Sequence, residues 1–139
     1  MHKKLGLEFG KKISPPILEF YLKSDKLNDP LLNEQHVIFL KLCNENDLKK
    51  VKKIAIKINF LLTKYFNDIK INLIDFKLEF GKYKNQILLA DEISPDSCRL
   101  WDKSSKKSLD KDLFRENKGD LLEAYTDVLK RIKKKCYDI

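Results

Sequence analysis

Asp75, Lys77 and Glu79 recur two apart within LIDFKLEFG, with Ile74, Phe76, Leu78 and Phe80 between and beyond them. Side chains alternate across a strand, so this spacing gathers a lysine and two carboxylates on one face and leaves the other face apolar. A second run, QILLAD, ends in Asp91, followed by Glu92. Carboxylates at the end of such a strand, facing a further carboxylate and a lysine, make a hard oxygen site suited to Mg2+ held jointly with substrate phosphates. Lysine adds a point charge for a phosphate or carboxylate oxygen. Arg99 then follows a Ser-Pro-Asp turn in EISPDSCRLWD, and Lys111 and Arg115 lie in LDKDLFRENKGD. The planar fork of arginine suits bidentate phosphate binding. Each feature also has an ordinary explanation, since alternating charge on one strand usually faces water and a single arginine usually makes a surface ion pair.

Whether these groups converge depends on the connection GKYKN between the two runs. With a three-residue loop, Tyr83 to Asn85, Lys77 pairs with Asp91 and Glu79 lies one diagonal away on the same face. With a two-residue loop at Lys84 and Asn85, Asp91 falls on the wrong face, so the arrangement needs an odd loop or a bulge. Ile87 to Ala90 are all apolar, which predicts burial on both faces. The apolar face of the first run must lie on helices.

Upstream, Pro15 and Pro16 bar a helix and predict an extended run from Ile17 to Lys23, followed by turn chemistry at Asn28, Asp29 and Pro30. Leu48, Val51, Ala55, Ile58, Leu62 and Tyr65 recur at spacings of three and four and predict a helix capped by Asn46 and closed by Asn67. Lys49, Lys50, Lys53, Lys57 and Lys64 occupy its other face. No arginine or aromatic reader accompanies them, so a packed helix with a solvated back is favoured over one that binds DNA or a calmodulin-like partner. A last helix is expected from an Asp120 cap, burying Leu122, Tyr125, Leu129 and Ile132, with KRIKKK suiting its C-terminal dipole. Asp102 reads as a surface carboxylate.

The chain has 139 residues, 42% of them hydrophobic, which is enough for one globular domain spanning 1–139. No apolar run approaches the roughly 20 residues that span a bilayer, and MHKKLGLEFG lacks the apolar core of a signal peptide, so a cytoplasmic protein is expected. Three widely spaced cysteines without a CxxC suggest reduced thiols. A net charge of +8 favours anionic partners: nucleic acid, an anionic membrane surface or phosphorylated small molecules.

The stretches SPPILEFYLKSDKLNDPLLN, LIDFKLEFG, LADEISPDSCRLWD, LDKDLFR and GDLLEAYTDVLKRI, in that order over nearly the whole chain, resemble the SAICAR synthetase family of purine biosynthesis. The resemblance implies an α+β fold, an antiparallel sheet backed by helices, forming the C-terminal lobe of an ATP-grasp-like enzyme. It implies a ligase that uses ATP and Mg2+ to join carboxyaminoimidazole ribonucleotide to L-aspartate through an acyl phosphate, giving SAICAR, ADP and phosphate. Carried over by position, Lys77 and Asp75 line the reacting pocket as catalytic residues, Lys23, Glu79 and Asp91 bind cofactor, and Glu79 and Asp91 hold the metal. Arg99, Lys111 and Arg115 bind substrate, with Arg99 on the ribonucleotide phosphate. Small anionic substrates then account for the basic charge, with no nucleic acid and no membrane, and a homo-oligomer is compatible. Family members carry a further N-terminal, β-rich lobe with glycine-rich and lysine contacts to ATP, which the isolated Gly6, Gly10, Gly81 and Gly119 do not replace. The resemblance is thus to the C-terminal portion. Two expectations follow: ligase chemistry, directly or with a separate N-terminal half, or a non-catalytic fragment or split half that binds phosphorylated ligands.

Overall fold

The computed structural model describes residues 6–117 and 119–137, so the first five residues of the MHKKLGLEFG stretch lie outside it. Two compact units divide between Ile56 and Lys57. That division falls inside a long helix, α2, Glu45–Asp68.

In the first unit, β1 (Phe20–Tyr21) pairs antiparallel with β2 (Leu31–Leu32), joined through a 3-10 turn at Asp25–Leu27. The extended run expected over Ile17 to Lys23 enters a ladder only at Phe20 and Tyr21, because its partner strand is itself two residues long. The turn between them uses the left-handed backbone of Asn28 and Asp29, residue types that tolerate it. Asn33 caps α1 (Glu34–Phe39), accepting from the His36 N–H while His36 Nδ1 accepts from the Asn33 N–H. The cap of α2 is Asn44 rather than Asn46: its Oδ1 accepts the Asp47 N–H at 2.8 Å, which satisfies one of the orphan donors of the first turn. Leu48 and Ala55 of the expected stripe are buried and Val51, Ile58, Leu62 and Tyr65 half-buried, with the five lysines exposed behind them.

The second unit is built on β3 (Ile71–Phe76) paired antiparallel with β6 (Cys98–Asp102). Its core gathers Phe66, Ile69, Ile71, Cys98, Leu100, Leu109, Ala124 and Val128. Ile71 and Leu100 are fully buried, each contributing about 1.5–3 kcal/mol by removal from water. The last helix, α4 (Leu121–Tyr137), is capped as expected by Asp120, whose Oδ1 accepts from the Leu122 and Glu123 N–H groups. Its inward stripe is set differently. Ala124 and Val128 are buried and Tyr125 and Ile132 half-buried, whereas Leu122 is 76% and Leu129 49% exposed. Small Ala124 and Val128 let the helix approach closely, which turns the larger Leu122 and Leu129 outward.

LIDFKLEFG is not one continuous strand. Ile74 is an extra residue between the paired positions Leu73 and Asp75, and Lys77 and Leu78 separate β3 from β4 (Glu79–Tyr83). The strict two-residue alternation expected from Ile74 to Phe80 is therefore interrupted twice. β4 pairs with β5 (Gln86–Ala90) through the two-residue loop Lys84-Asn85, both with positive φ, the pattern of a type I′ turn. Burial of QILLAD on both faces is also overturned. The ladder is only two strands wide, and the successive residues Leu88 and Leu89, on opposite faces, are 46% and 44% exposed.

Asp102 is likewise buried, not a surface carboxylate. It ends β6 and organises the following turn, its Oδ1 accepting from the backbone N–H and hydroxyl of both Ser104 and Ser105. Its Oδ2 meets Arg131 of α4 at 2.8 Å. Among the described residues no helix is long and apolar enough to cross a membrane.

Candidate functional site

The bulge at Ile74 does the first piece of positioning. Continuing the register of Asn72 with Trp101 and Leu73 with Leu100 would set Ile74 opposite Arg99. The extra residue sets Asp75 there instead. Directly opposed residues in an antiparallel pair share a face, and Arg99 Nη1 meets Asp75 Oδ2 at 2.8 Å.

A second element closes on the same arginine. Asp112 opens the short helix α3 (Asp112–Arg115), and its Oδ2 accepts from Arg99 Nε at 2.6 Å while its Oδ1 accepts from Arg115 Nη1 at 3.2 Å. Burial works against the charge on Arg99, but the hydrogen bond it donates to Asp112 and the charge of Asp75 outweigh it and raise the guanidinium above its ordinary value. Burial also opposes ionisation of Asp112, yet the hydrogen bond and charge of Arg99, then those of Arg115, hold its carboxyl below the usual range.

Lys111 is tied to the Ser-Pro-Asp turn, with its N–H donating to the Pro95 carbonyl at 3.3 Å and its Nζ 3.4 Å from Asp96 Oδ1. That turn is fixed by Ser94 and Ser97: the Ser97 hydroxyl donates to the Glu92 carbonyl and accepts from the Ser94 N–H. The Lys77 N–H donates to the Ser97 carbonyl at 2.8 Å. Lys77 Nζ in turn meets Glu79 Oε1 at 2.7 Å.

The sequence-derived residues thus fall into three groups. Asp75, Arg99 and Arg115 come together through Asp112; Lys77 pairs with Glu79; Lys111 sits against Asp96. Lys23 is exposed in the first unit, between β1 and the 3-10 turn. Asp91 does not pair as a three-residue loop would have it, because the register sets Ala90 opposite Glu79 and Leu89 opposite Phe80. Asp91 lies just past the end of β5 with φ +70°, so strand alternation does not dictate the direction of its side chain. Among the described residues no group of three or more His, Cys, Asp or Glu could hold a metal ion. Glu79 and Asp91 nonetheless have the chemistry Mg2+ prefers, since that ion commonly takes one or two carboxylates and completes its shell with phosphates and water.

Asp110 and Asp112 escaped the sequence reading. Asp110 is fully buried, its Oδ2 accepting the Leu100 N–H at 2.7 Å and its Oδ1 the Asp112 N–H at 2.9 Å. The only available signal was their interleaving with Lys111 and Arg115 in LDKDLFR, where carboxylates alternate with the cationic candidates. Formally, Arg99, Lys111 and Arg115 are balanced by Asp75, Asp96 and Asp112. An anion would be held here by directed N–H donors rather than by net charge.

A family model described as SAICAR synthetase matches residues 1–132. The phosphoribosylaminoimidazole-succinocarboxamide synthase of Listeria welshimeri is 52% identical over 132 residues, covering 94% of this chain and 56% of that relative. That of Persephonella marina is 48% identical, covering 96% and 56% respectively. Among solved structures, a SAICAR synthetase from Pyrococcus horikoshii superposes with a TM-score of 0.90 at 49% identity, covering 95% of this chain and 58% of that one. A SAICAR synthetase in complex with ADP gives 0.89 at 50% identity, covering 94% and 56%. The chain therefore spans little more than half the length of these relatives.

Proposed function

Because the chain belongs to the SAICAR synthetase family, we propose that it supplies the C-terminal share of a cytoplasmic ligase site joining carboxyaminoimidazole ribonucleotide to L-aspartate at the expense of ATP. The observation that carries this reading is the fork of Arg99 and Arg115 held by Asp112 and Asp75 on β3, β6 and α3. It offers oriented guanidinium donors of the kind that grip a phosphate ester. The ADP bound by a relative half identical to this chain supports a nucleotide as co-substrate.

In this reading Arg99 and Arg115 bind and orient the ribonucleotide, with Lys111 contributing a further positive charge. Asp75 and Lys77 line the reacting end, and Lys77 is positioned to neutralise charge gathering on a transferring phosphoryl group. Glu79 and Asp91 are the residues that would hold Mg2+, which when bound supplies further neutralisation of phosphoryl oxygens. Lys23, on the first unit, is assigned to cofactor by the family resemblance alone. Ligation also needs groups equivalent to the part of the relatives that this chain does not span. We assign those to a separate N-terminal lobe, with a homo-oligomer as the compatible assembly state.

A second reading, binding of phosphorylated ligands without turnover, is favoured by the two-stranded β4–β5 ladder, which leaves Leu88 and Leu89 open to water. A coupled ADP-release assay separates the two. The chain alone should release little ADP in the presence of ATP, Mg2+, L-aspartate and the ribonucleotide, and adding the N-terminal portion of a relative should raise the rate. Absence of any rate with every N-terminal portion supplied, despite ligand binding, would select the second reading.

A further inference from the structure

We infer that Asp112 is a positioning residue for anion binding, a carboxylate that aims Arg99 and Arg115 at a phosphate ester instead of merely cancelling their charge. The inference rests on the reading of those two arginines as phosphate-binding groups. Three observations carry it. Asp112 uses a different oxygen for each arginine, Oδ2 for Arg99 Nε and Oδ1 for Arg115 Nη1, so one side chain sets the relative placement of two guanidiniums. Its own backbone is fixed by the fully buried Asp110, which accepts the Asp112 N–H with one oxygen and the Leu100 N–H with the other. Leu100 is the neighbour of Arg99, so a single carboxylate in the interior ties the backbone beside the arginine to the backbone of the residue that aims it.

The third observation is which donors the two carboxylates engage. Arg99 gives Nε to Asp112 and Nη1 to Asp75. A guanidinium carries five N–H donors, so a phosphate oxygen can be met by a donor beyond these two with both ion pairs intact. The long arginine side chain would otherwise lose rotamer freedom when the ligand arrives, and Asp112 has that cost met in the folded state.

Charge and positioning predict opposite signs for one substitution. Removing a carboxylate beside two guanidiniums makes the site more positive and, by Coulomb's law alone, should tighten anion binding. Loss of positioning should weaken it. The test is a titration of the full chain with ribose 5-phosphate at fixed ionic strength, followed through the arginine Nε–H resonances by NMR. In the unsubstituted chain Arg99 and Arg115 should respond, and the Arg99 Nε proton should stay slow to exchange with water through saturation. Asp112→Asn should weaken binding about tenfold, the equivalent of one charge-assisted hydrogen bond, and the Arg99 Nε proton should exchange fast. Asp112→Glu, which keeps the carboxylate, should recover part of the affinity.

Unchanged or tighter binding by a folded Asp112→Asn chain would overturn the inference while leaving the phosphate-binding reading in place. Failure of the unsubstituted chain to bind ribose 5-phosphate would remove that reading and the inference together. Should the asparagine variant not fold, the unsubstituted chain decides: an Arg99 Nε proton released to fast exchange at saturation means the ligand displaces Asp112, which is incompatible with a positioning role.

Discussion

Replacing Asp102 with alanine should destabilise the second unit far more than its sequence context suggests. Its Oδ1 gathers the N–H and hydroxyl groups of Ser104 and Ser105, at 2.6–3.0 Å, and its Oδ2 holds Arg131 at 2.8 Å. Losing hydrogen bonds to a charged, buried acceptor costs about 1.5–3 kcal/mol. The larger penalty of stranding a buried charge does not apply in full, because Arg131 keeps Asp127 and the Lys70 carbonyl as partners. The expected loss is therefore about 2–3 kcal/mol, or a melting temperature lower by about 5–10 °C for a domain of this size. Asp102→Asn keeps one acceptor for the turn and should lose about half as much. The hydrogen bonds from Ser104, Ser105 and Arg131 hold the folded carboxyl well below the usual range. A depressed folded value means that the stabilisation is complete above the unfolded pKa of about 4 and is lost as pH falls below it toward the folded value. Thermal unfolding of the unsubstituted and Asp102→Asn chains between neutral pH and pH 3 checks this, with the gap between the two narrowing on the acid side. A loss under about 0.5 kcal/mol on alanine substitution, or a gap that does not change with pH, would mean that water serves the turn as well as Asp102 does.

Other perturbations probe the remaining elements. Replacing Lys84-Asn85 with Asn-Gly, which better tolerates two positive φ values, should stabilise the β4–β5 hairpin by about 0.5–1 kcal/mol, seen as a higher denaturant midpoint at constant slope. Leu88→Ser with Leu89→Ser should reduce self-association in sedimentation velocity with little change in melting temperature, since both leucines are already nearly half exposed. In the presence of a complementing N-terminal portion, Glu79→Gln or Asp91→Asn should lower ADP release by orders of magnitude while circular dichroism stays unchanged. A variant with wild-type rate would remove that residue from the metal assignment.

Much of this protein is legible along the chain. The stripe of α2, the Asp120 cap of α4 and the turn residues Asn28 and Asp29 follow from local periodicity and local hydrogen bonding, and all three survive into the fold because none depends on a distant partner. The run of motifs from SPPILEFYLKSDKLNDPLLN to GDLLEAYTDVLKRI was likewise enough to identify the family, and with it an α+β architecture. What the tertiary structure alone decided are the cross-strand relations. A single extra residue at Ile74 exchanges an isoleucine for Asp75 opposite Arg99, and a two-residue loop at Lys84-Asn85 sets Ala90, not Asp91, opposite Glu79. Asp102 and Asp110 look like two more charges in a charged chain until β6, α3 and α4 close around them. A strand's period of two leaves its register open, so one inserted residue reverses every face assignment beyond it. A carboxylate's burial depends on which distant backbone N–H groups the fold delivers to it.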